Sequence, residues 1–132
     1  MKGRRQLFVD LDAEPADQLE RTAAAIRNGI NATMRRRGLR WCAYGQFSDF
    51  HLYRGDASPE DIQAGRVSWK MLKGAIPLEI VNAIRAGCLL HGVDISAWPG
   101  GFVSAAHTPE DAARTVAAFE STSDMLALEG LL

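Results

Sequence analysis

A serine and a histidine lie three residues apart near the end of the chain, in the string Ser104-Ala105-Ala106-His107. This pair could supply a nucleophile and a general base for acyl transfer. The glycine-flanked elbow that exposes a catalytic serine in hydrolases is absent from the sequence around Ser104. At a strand-to-helix junction, hydroxyl and imidazole groups commonly bond to turn amides and carbonyls instead. We therefore predict a structural role at this junction for Ser104, His107 and the adjacent Thr108.

His51 is a second candidate for acid–base chemistry. It lies in the alternating segment 49–53, where Asp49 and Tyr53 share its side of the predicted strand. Catalysis by this histidine would require a paired nucleophile at a recognisable spacing, and the neighbouring sequence offers none. A surface or structural histidine is the interpretation that we adopt.

A lysine can form a Schiff base with a carbonyl compound, and Lys70 and Lys73 are the only lysines besides Lys2. A reactive lysine needs a desolvated pocket that lowers its pKa. Neither Lys70 nor Lys73 has that context, so we predict two ordinary exposed lysines. The apolar residues beside them are expected to pack against a neighbouring domain or subunit: Trp69, Met71 and Leu72.

Metal and disulfide chemistry is not indicated. The two cysteines, Cys42 and Cys88, are too few and too far apart for a disulfide framework or a zinc site. Reduced thiols are the expectation. The chain carries 15 Lys plus Arg against 16 Asp plus Glu, so no net field favours nucleic acid or an anionic membrane. The apolar run 7–9 is too short for a signal sequence or a membrane span, and we predict a cytoplasmic protein.

Hydrophobic periodicity predicts an α+β fold: a small, mostly antiparallel sheet with three helices packed on it. At 132 residues and 47% hydrophobic, the chain is expected to form a single domain over residues 1–132. The turn-rich stretch 54–76 is predicted to be a loop excursion with a short helical piece at 59–64. The predicted helices are 15–37, 77–91 and one from 109 to about 126, and the predicted strands are 39–44, 49–53, 93–95 and 102–105.

Two helix starts carry recognisable signals. Pro15 is suited to the first turn of the first helix, because the missing N–H has no helical partner there. The last helix begins with Thr108 as the predicted cap, Pro109 at the first helical position and Asp111 three residues after the cap, as in a capping box.

The last third of the chain resembles the C-terminal end of class III pyridoxal-phosphate (PLP) aminotransferases, closest to the glutamate-1-semialdehyde aminomutase group. The similarity lies in Gly92-Val93 after a helix, then in the string Gly-Phe-Val-Ser-Ala-Ala-His-Thr over 101–108, and then in a final helix that opens at 109–111. The order of elements from about 19 to 126 is similar to the small C-terminal domain of these enzymes, which are of fold type I. The resemblance thus covers most of the chain.

What the resemblance implies is a part of an enzyme. In such enzymes a large domain provides the lysine that binds PLP, and nothing like that domain is recognisable in this sequence. We therefore expect no catalytic and no cofactor-binding residue in this chain, which would be inactive alone. The implied partners are the large domain of the same enzyme and, for the full-length protein, a second copy in a homodimer.

The resemblance also implies a role for the loop before Gly101, which would complete the substrate pocket. The candidate pocket residues are Trp98, Pro99 and Gly100, and an aromatic side chain on this loop could pack on substrate or on a partner subunit. The aminomutase usually has a glutamate at the position of Pro99. This departure favours, at least equally, a related aminotransferase that acts on another amino acid or amine.

A second interpretation is a stand-alone ligand-binding or protein-interaction module that retained the fold without catalysis. Its exposed Trp69, Met71 and Leu72 would then contact a partner protein. A metal-dependent or acyl-transfer enzyme is disfavoured, because the sequence lacks both ligand spacing and nucleophile context.

Overall fold

A computed structural model describes the backbone of residues 2–132 and the side chains of residues 16–132. Within these residues the chain forms an antiparallel sheet with the strand order β1-β2-β3, and the three long helices pack on one face of it. The predicted α+β class is confirmed. The elements are α1 (Lys2–Arg36), β1 (Trp41–Tyr44), β2 (Asp49–Arg54), α2 (Pro59–Gln63), α3 (Trp69–Gly74), α4 (Leu78–Leu90), β3 (Gly100–Phe102) and α5 (Pro109–Leu128).

The inner face of the sheet forms the floor of the hydrophobic core. Ala43 of β1 pairs with Leu52 of β2, and Phe50 of β2 pairs with Gly101 of β3. Because side chains alternate along a strand, these residues share one face, and it packs against α1, α4 and α5. The predicted apolar stripes of the helices lie in this core: Ala23, Ile26, Ile30, Met34, Ile80, Ile84, Cys88, Ala112, Phe119 and Leu126.

Small residues let the long helices approach closely. A Cβ atom added at Gly29 of α1 would lie 2.5 Å from a methyl carbon of Val116 in α5. A Cβ atom added at Gly87 of α4 would lie 2.5 Å from a methyl carbon of Thr122 in α5. α5 therefore packs closely against both α1 and α4 at these glycines, where a larger residue would not fit without a shift.

The prediction that the first helix begins at Pro15 was wrong. The structure continues α1 back to Lys2, so that Pro15 lies inside the helix. A proline at an internal position removes one backbone hydrogen bond. The preceding residues include several good helix formers, among them leucine, glutamine and arginine. Their helix propensity competes with the proline signal, which marks a helix start only when no helical segment precedes it.

The prediction of a strand at 93–95 was also wrong, and β3 lies earlier than the predicted 102–105. The Val93 N–H donates to the Cys88 carbonyl at the end of α4, and the Arg85 guanidinium donates to the Ile95 carbonyl. Ile95 is buried. The apolar alternation of 93–95 thus reflects one anchored core residue in an extended connection, because no strand within residues 2–132 pairs with it.

Residues 54–76 contain two short helices. Ser58 caps α2 in a capping box with Asp61, and the Ser68 hydroxyl accepts a hydrogen bond from the Met71 N–H at the start of α3. α2 matches the helical piece predicted at 59–64. Neither helix has a buried residue, so both lie on the surface of the packed core.

The free edge of β1 is closed by a side chain. Asn31 of α1 donates from Nδ2 to the Ala43 carbonyl at 3.0 Å, and the Ala43 N–H donates to Asn31 Oδ1 at 2.7 Å. The amide therefore takes the place of a neighbouring strand. An edge strand that is covered in this way cannot pair with another chain at Ala43.

Replacing Asn31 by alanine should lower the free energy of unfolding by about 1–3 kcal/mol, because both backbone groups of Ala43 lose their partner. Chemical denaturation followed by circular dichroism measures this loss. The exposed Asn28, one turn earlier on the same helix, is the matched control and should tolerate alanine within about 0.5 kcal/mol. Equal losses for the two variants would contradict the assigned role of Asn31.

Candidate functional site

The Ser104–His107 pair closes a turn. The Ser104 N–H donates to His107 Nδ1 at 2.8 Å, and the Ser104 hydroxyl lies 3.1 Å from the same nitrogen. This hydroxyl also accepts from the Ala106 N–H at 3.3 Å, while the His107 N–H donates to the Ser104 carbonyl. Both side chains are exposed. The polar atoms are thus engaged with the turn backbone in the way that a strand-to-helix junction requires.

Thr108 caps α5, as the sequence predicts. Its hydroxyl accepts from the Asp111 N–H at 3.2 Å, and the Asp111 carboxylate accepts from the Thr108 N–H at 2.7 Å. The Thr108 N–H is the main reason that the pKa of Asp111 lies below its usual value, and the Thr108 side chain adds to the effect. Asp111 therefore stays ionised as part of the capping box.

The loop between Ser96 and Gly100 holds the three predicted pocket residues. Ser96 donates from its hydroxyl to the Trp98 carbonyl and, at 3.1 Å, to the Gly100 carbonyl. The Ser96 N–H donates to the same Gly100 carbonyl at 2.9 Å, and the Pro99 carbonyl accepts from Leu52 of β2. These hydrogen bonds stabilise the loop internally and connect it to β2. Trp98 is held at a defined position, with 39% of its surface exposed.

Trp98 belongs to an aromatic cluster on the face of the sheet that points away from the helices. We call this cluster the outer face and define it as Tyr44, His51, Trp98 and Phe102. The His51 ring centroid lies 5.5 Å from that of Tyr44 and 6.2 Å from that of Phe102. Burial raises the pKa of Tyr44, and the Trp98 side chain opposes part of the rise.

His51 lies between the two rings without a strong polar partner. Its Nε2 is 3.7 Å from the Asp49 carboxylate, a long contact, and its buried Nδ1 has no hydrogen-bond partner among the residues that the structure describes. Tyr53, which the sequence places on the same side, is buried. Of the three residues that the sequence places on one side of this strand, His51 and Asp49 therefore lie near each other beside aromatic rings, and Tyr53 is buried.

A groove of about 920 Å³ runs beside this cluster, between α1, the outer side of the sheet and α2. Arg27 donates to the Asp49 carbonyl at its rim. Burial raises the pKa of Cys42 in the groove wall to about 11, and nearby Glu60 adds to the rise, so this thiol is not a ready nucleophile. Cys88 is buried between α4 and α5, and burial raises its pKa to about 11 as well.

The lysines lie elsewhere. The Lys70 and Lys73 ammonium groups of α3 lie 5.9 and 5.8 Å from the ring centroid of Trp69. Trp69 and Met71 are exposed and Leu72 is half-buried. Over the residues with described side chains, no cluster of three or more potential metal ligands occurs. In the same part of the chain, no helix is both long and apolar enough to span a membrane.

The sequence indicated Trp98 as a pocket candidate, and it did not indicate Tyr44 or Phe102, whose rings the structure places near His51. The available signal was the strand alternation, which puts Tyr44 and His51 on the outward side of their strands. The contacts of His51 with Tyr44 and Phe102 depend on the pairing of β2 with both β1 and β3. That pairing is not contained in any local pattern.

Comparison with known proteins gives structural matches only. No protein-family model matches the chain, and no curated protein matches it in sequence. A transaminase with PLP bound matches 89% of the chain with a TM-score of 0.67 and 18% identity. The FumI protein of Sphingopyxis sp. MTA144, in its PLP internal aldimine form, matches 88% with a TM-score of 0.65 and 24% identity. An omega-transaminase from Sphaerobacter thermophilus matches 81% with a TM-score of 0.56 and 19% identity.

Each match uses a limited part of the larger protein. The chain spans 24% of the length of each of these three structures. At this level of identity the matches establish the fold alone. The helices and the open antiparallel sheet described above thus share the fold of one part of the transaminase structures that they match.

Proposed function

We propose that this chain is the small C-terminal part of a PLP-dependent aminotransferase, in which it covers the active site and shapes the substrate pocket. The fold match to about a quarter of two transaminases and of the FumI protein in its PLP internal aldimine form supports this proposal. Independent support comes from the string 101–108, which resembles the class III ending. In the finer version of the proposal, the enzyme is related to the glutamate-1-semialdehyde aminomutase group, with a different substrate because of Pro99.

The main structural support for the proposal is the exposed aromatic surface of the outer face. Its aromatic side chains lie on the side of the sheet opposite the packed helices, and Phe102 is 73% exposed. Single exposed apolar residues are ordinary, whereas clustered aromatic residues mark a contact surface. A large cofactor-binding domain on this side would cover the outer face and bring the loop of Trp98 to the active-site mouth.

The side chains that the structure describes do not fit PLP by themselves. Lys70 and Lys73, the lysines among them, lie on the exposed α3 and line none of the grooves described above. When bound in an aminotransferase, PLP supplies an electron sink for amino-group transfer. In our proposal the groups that bind PLP come from the large domain. This chain positions the substrate and excludes water from the active site.

Incubation of the purified chain with PLP and borohydride is expected to give no stoichiometric adduct at a single lysine. An exposed lysine without a desolvated pocket reacts only weakly and without selectivity. Mass spectrometry after proteolysis locates any adduct. Stoichiometric labelling of Lys70 or Lys73 would contradict our proposal that the lysine that binds PLP belongs to a large domain.

The positive test of the proposal concerns the coding DNA. We expect an open reading frame that joins residues 1–132 to a larger domain bearing a reactive lysine. The joined protein should bind PLP, with a visible absorption band that borohydride abolishes, and should transfer amino groups. A stop codon directly upstream of Met1, together with no PLP binding by any co-encoded partner, would overturn the proposal.

A stand-alone ligand-binding module is the second candidate function. It is favoured by the groove beside the outer face, because its volume of about 920 Å³ is within the range of known ligand sites. Such a module should be monodisperse in solution, whereas a domain separated from its partner should self-associate through the outer face. Sedimentation velocity distinguishes the two behaviours.

A further inference from the structure

The short helix α3 presents a basic and aromatic surface that shares no residue with the outer face. Trp69 is 65% exposed and Met71 is 58% exposed. The ammonium groups of Lys70 and Lys73 lie 5.9 and 5.8 Å from the Trp69 ring centroid. We call these four residues the basic patch. A large exposed aromatic side chain that is flanked by two cations is suited to contact a partner surface that combines apolar and acidic groups.

Charge is unevenly distributed along this nearly neutral chain. Residues 62–78 contain three basic residues and no acidic one. Residues 6–20, which we call the acidic segment, contain five acidic residues and no basic one: Asp10, Asp12, Glu14, Asp17 and Glu20. Arg66 forms an ion pair with Asp61 at 2.7 Å, so Lys70 and Lys73 carry the charge of the basic patch. The basic patch and the acidic segment are therefore electrostatically complementary.

The acidic segment lies in the first half of α1. Asp17 and Glu20 are exposed and three residues apart, so they share one side of the helix. Between them, Gln18 donates to the His107 carbonyl at 3.2 Å, just before α5 begins. Glu20 and Arg36 are 16 residues apart in α1, which corresponds to about 24 Å along the axis. These carboxylates are therefore distant from the C-terminal end of α1.

α3 is anchored near that C-terminal end. Arg40, which follows α1, forms an ion pair at 2.9 Å with Asp56, where the excursion that carries α3 begins. The excursion leads into α4, and Ile84 of α4 lines a small cavity together with Met34 of α1. The basic patch and the acidic segment thus lie toward opposite ends of α1. Each is placed to meet its complement on a second copy, not within its own chain.

We propose that the basic patch docks on the acidic segment of a second copy of this chain. The two lysines of one copy pair with Asp17 and Glu20 of the other copy, and Trp69 packs on α1 beside them. In a two-fold dimer each copy contributes its basic patch to one contact and its acidic segment to the other, so the two contacts form together. The α1 helices of the two copies then lie antiparallel. This dimer uses no residue of the outer face and does not depend on the proposed aminotransferase function.

Sedimentation velocity of the purified chain at several salt concentrations is the first test. We expect a reversible dimer with a Kd of roughly 10–100 µM at about 0.05 M NaCl. Salt screens ion pairs at a surface, so the Kd should rise at least about tenfold at about 0.5 M NaCl. A chain that stays monomeric at about 1 mM, or a dimer that salt does not weaken, would overturn the proposal.

Charge reversal tests whether the two surfaces pair with each other. Lys70→Glu/Lys73→Glu puts acidic groups on both surfaces, and Asp17→Lys/Glu20→Lys puts basic groups on both. Each variant alone should be monomeric, because like charges meet at both contacts. When the two variants are mixed in equal amounts they should form a heterodimer, because opposite charges then meet at both contacts. A mixture that stays monomeric would contradict the pairing.

The matched control is Arg35→Glu/Arg114→Glu, which makes the same change in net charge as the lysine variant. Both arginines are exposed and lie outside the two surfaces. The control should dimerise with a Kd within about threefold of that of the parent chain, since a surface charge away from the contact contributes little. Circular dichroism verifies that every variant is folded. If the control lost the dimer as completely as the lysine variant, net charge would explain the result and the inference would fail.

The outcomes also separate this dimer from association through the outer face. Contacts between aromatic side chains persist at high salt and do not respond to either charge reversal. A salt-resistant dimer that forms in Lys70→Glu/Lys73→Glu therefore overturns the inference and favours the association expected of a separated domain. A salt-sensitive dimer that also forms in the mixture of variants supports the inference, whatever the coding DNA reveals about a cofactor-binding domain.

Discussion

Replacing Phe119 by alanine is expected to lower the free energy of unfolding by about 3–5 kcal/mol. The Phe119 side chain is 2% exposed and lies on the buried side of α5. Its ring meets that of Phe50 edge to face, with centroids 6.2 Å apart. The alanine variant loses the transfer free energy of the ring and leaves a cavity between α5 and the sheet. Small domains have about 5–15 kcal/mol in total, so this change removes a large share.

Urea denaturation followed by circular dichroism measures this effect. Leu128 is 88% exposed on the same helix, and its replacement by alanine should cost less than about 0.5 kcal/mol. The contrast between the two variants isolates burial, because both remove a large apolar side chain from α5. Similar losses for the two would mean that α5 does not pack on the sheet through Phe119.

The core could be predicted from the sequence because it depends on local periodicity. The helical steps that put Ile26 and Ile30 on one stripe, and the alternation that puts Phe50 and Leu52 on one side, are both readable without tertiary information. The structure buries all four residues. The cap at Thr108 was predictable for the same reason, since capping residues and their partner lie within one turn.

The outer face could not be predicted in this way. Its members come from β1, β2, the 96–100 loop and β3, and only the strand register brings them together. The position of Trp98 depends further on hydrogen bonds from Ser96, a residue without a distinctive sequence signal. The strand was wrongly predicted at 93–95 because strand pairing cannot be read from a local pattern there either. A single anchored core residue and a paired strand produce the same short apolar pattern.

The most recognisable string in the sequence has a structural explanation. In 101–108, Gly101 packs against the Phe50 ring, Ser104 and His107 close a turn, and Thr108 caps the last helix. These positions define how the chain leaves the sheet and enters α5. A resemblance based on them is therefore evidence about the fold first.

Replacing Gly100 by alanine should lower the free energy of unfolding by about 2–5 kcal/mol, from overpacking and backbone strain together. Gly100 has a φ of +156°, which residues with a Cβ atom rarely adopt, and an added Cβ would collide with the Phe50 carbonyl oxygen of β2. That oxygen belongs to the backbone of a central strand and cannot move aside. The substitution should push β3 away from β2, and Phe102 would move with it.

The matched control is Gly74→Ala, because Gly74 lies in α3 with no atom within 4 Å of an added Cβ. Its unfolding free energy should stay within about 0.5 kcal/mol of the parent chain. In Gly100→Ala, the NMR signals of the Trp98 indole and the Phe102 amide should also shift, since both lie on the displaced segment. If Gly100→Ala were as stable as Gly74→Ala, β3 would not lie against β2 as described. The outer face would then lack the strand that places Phe102 beside His51.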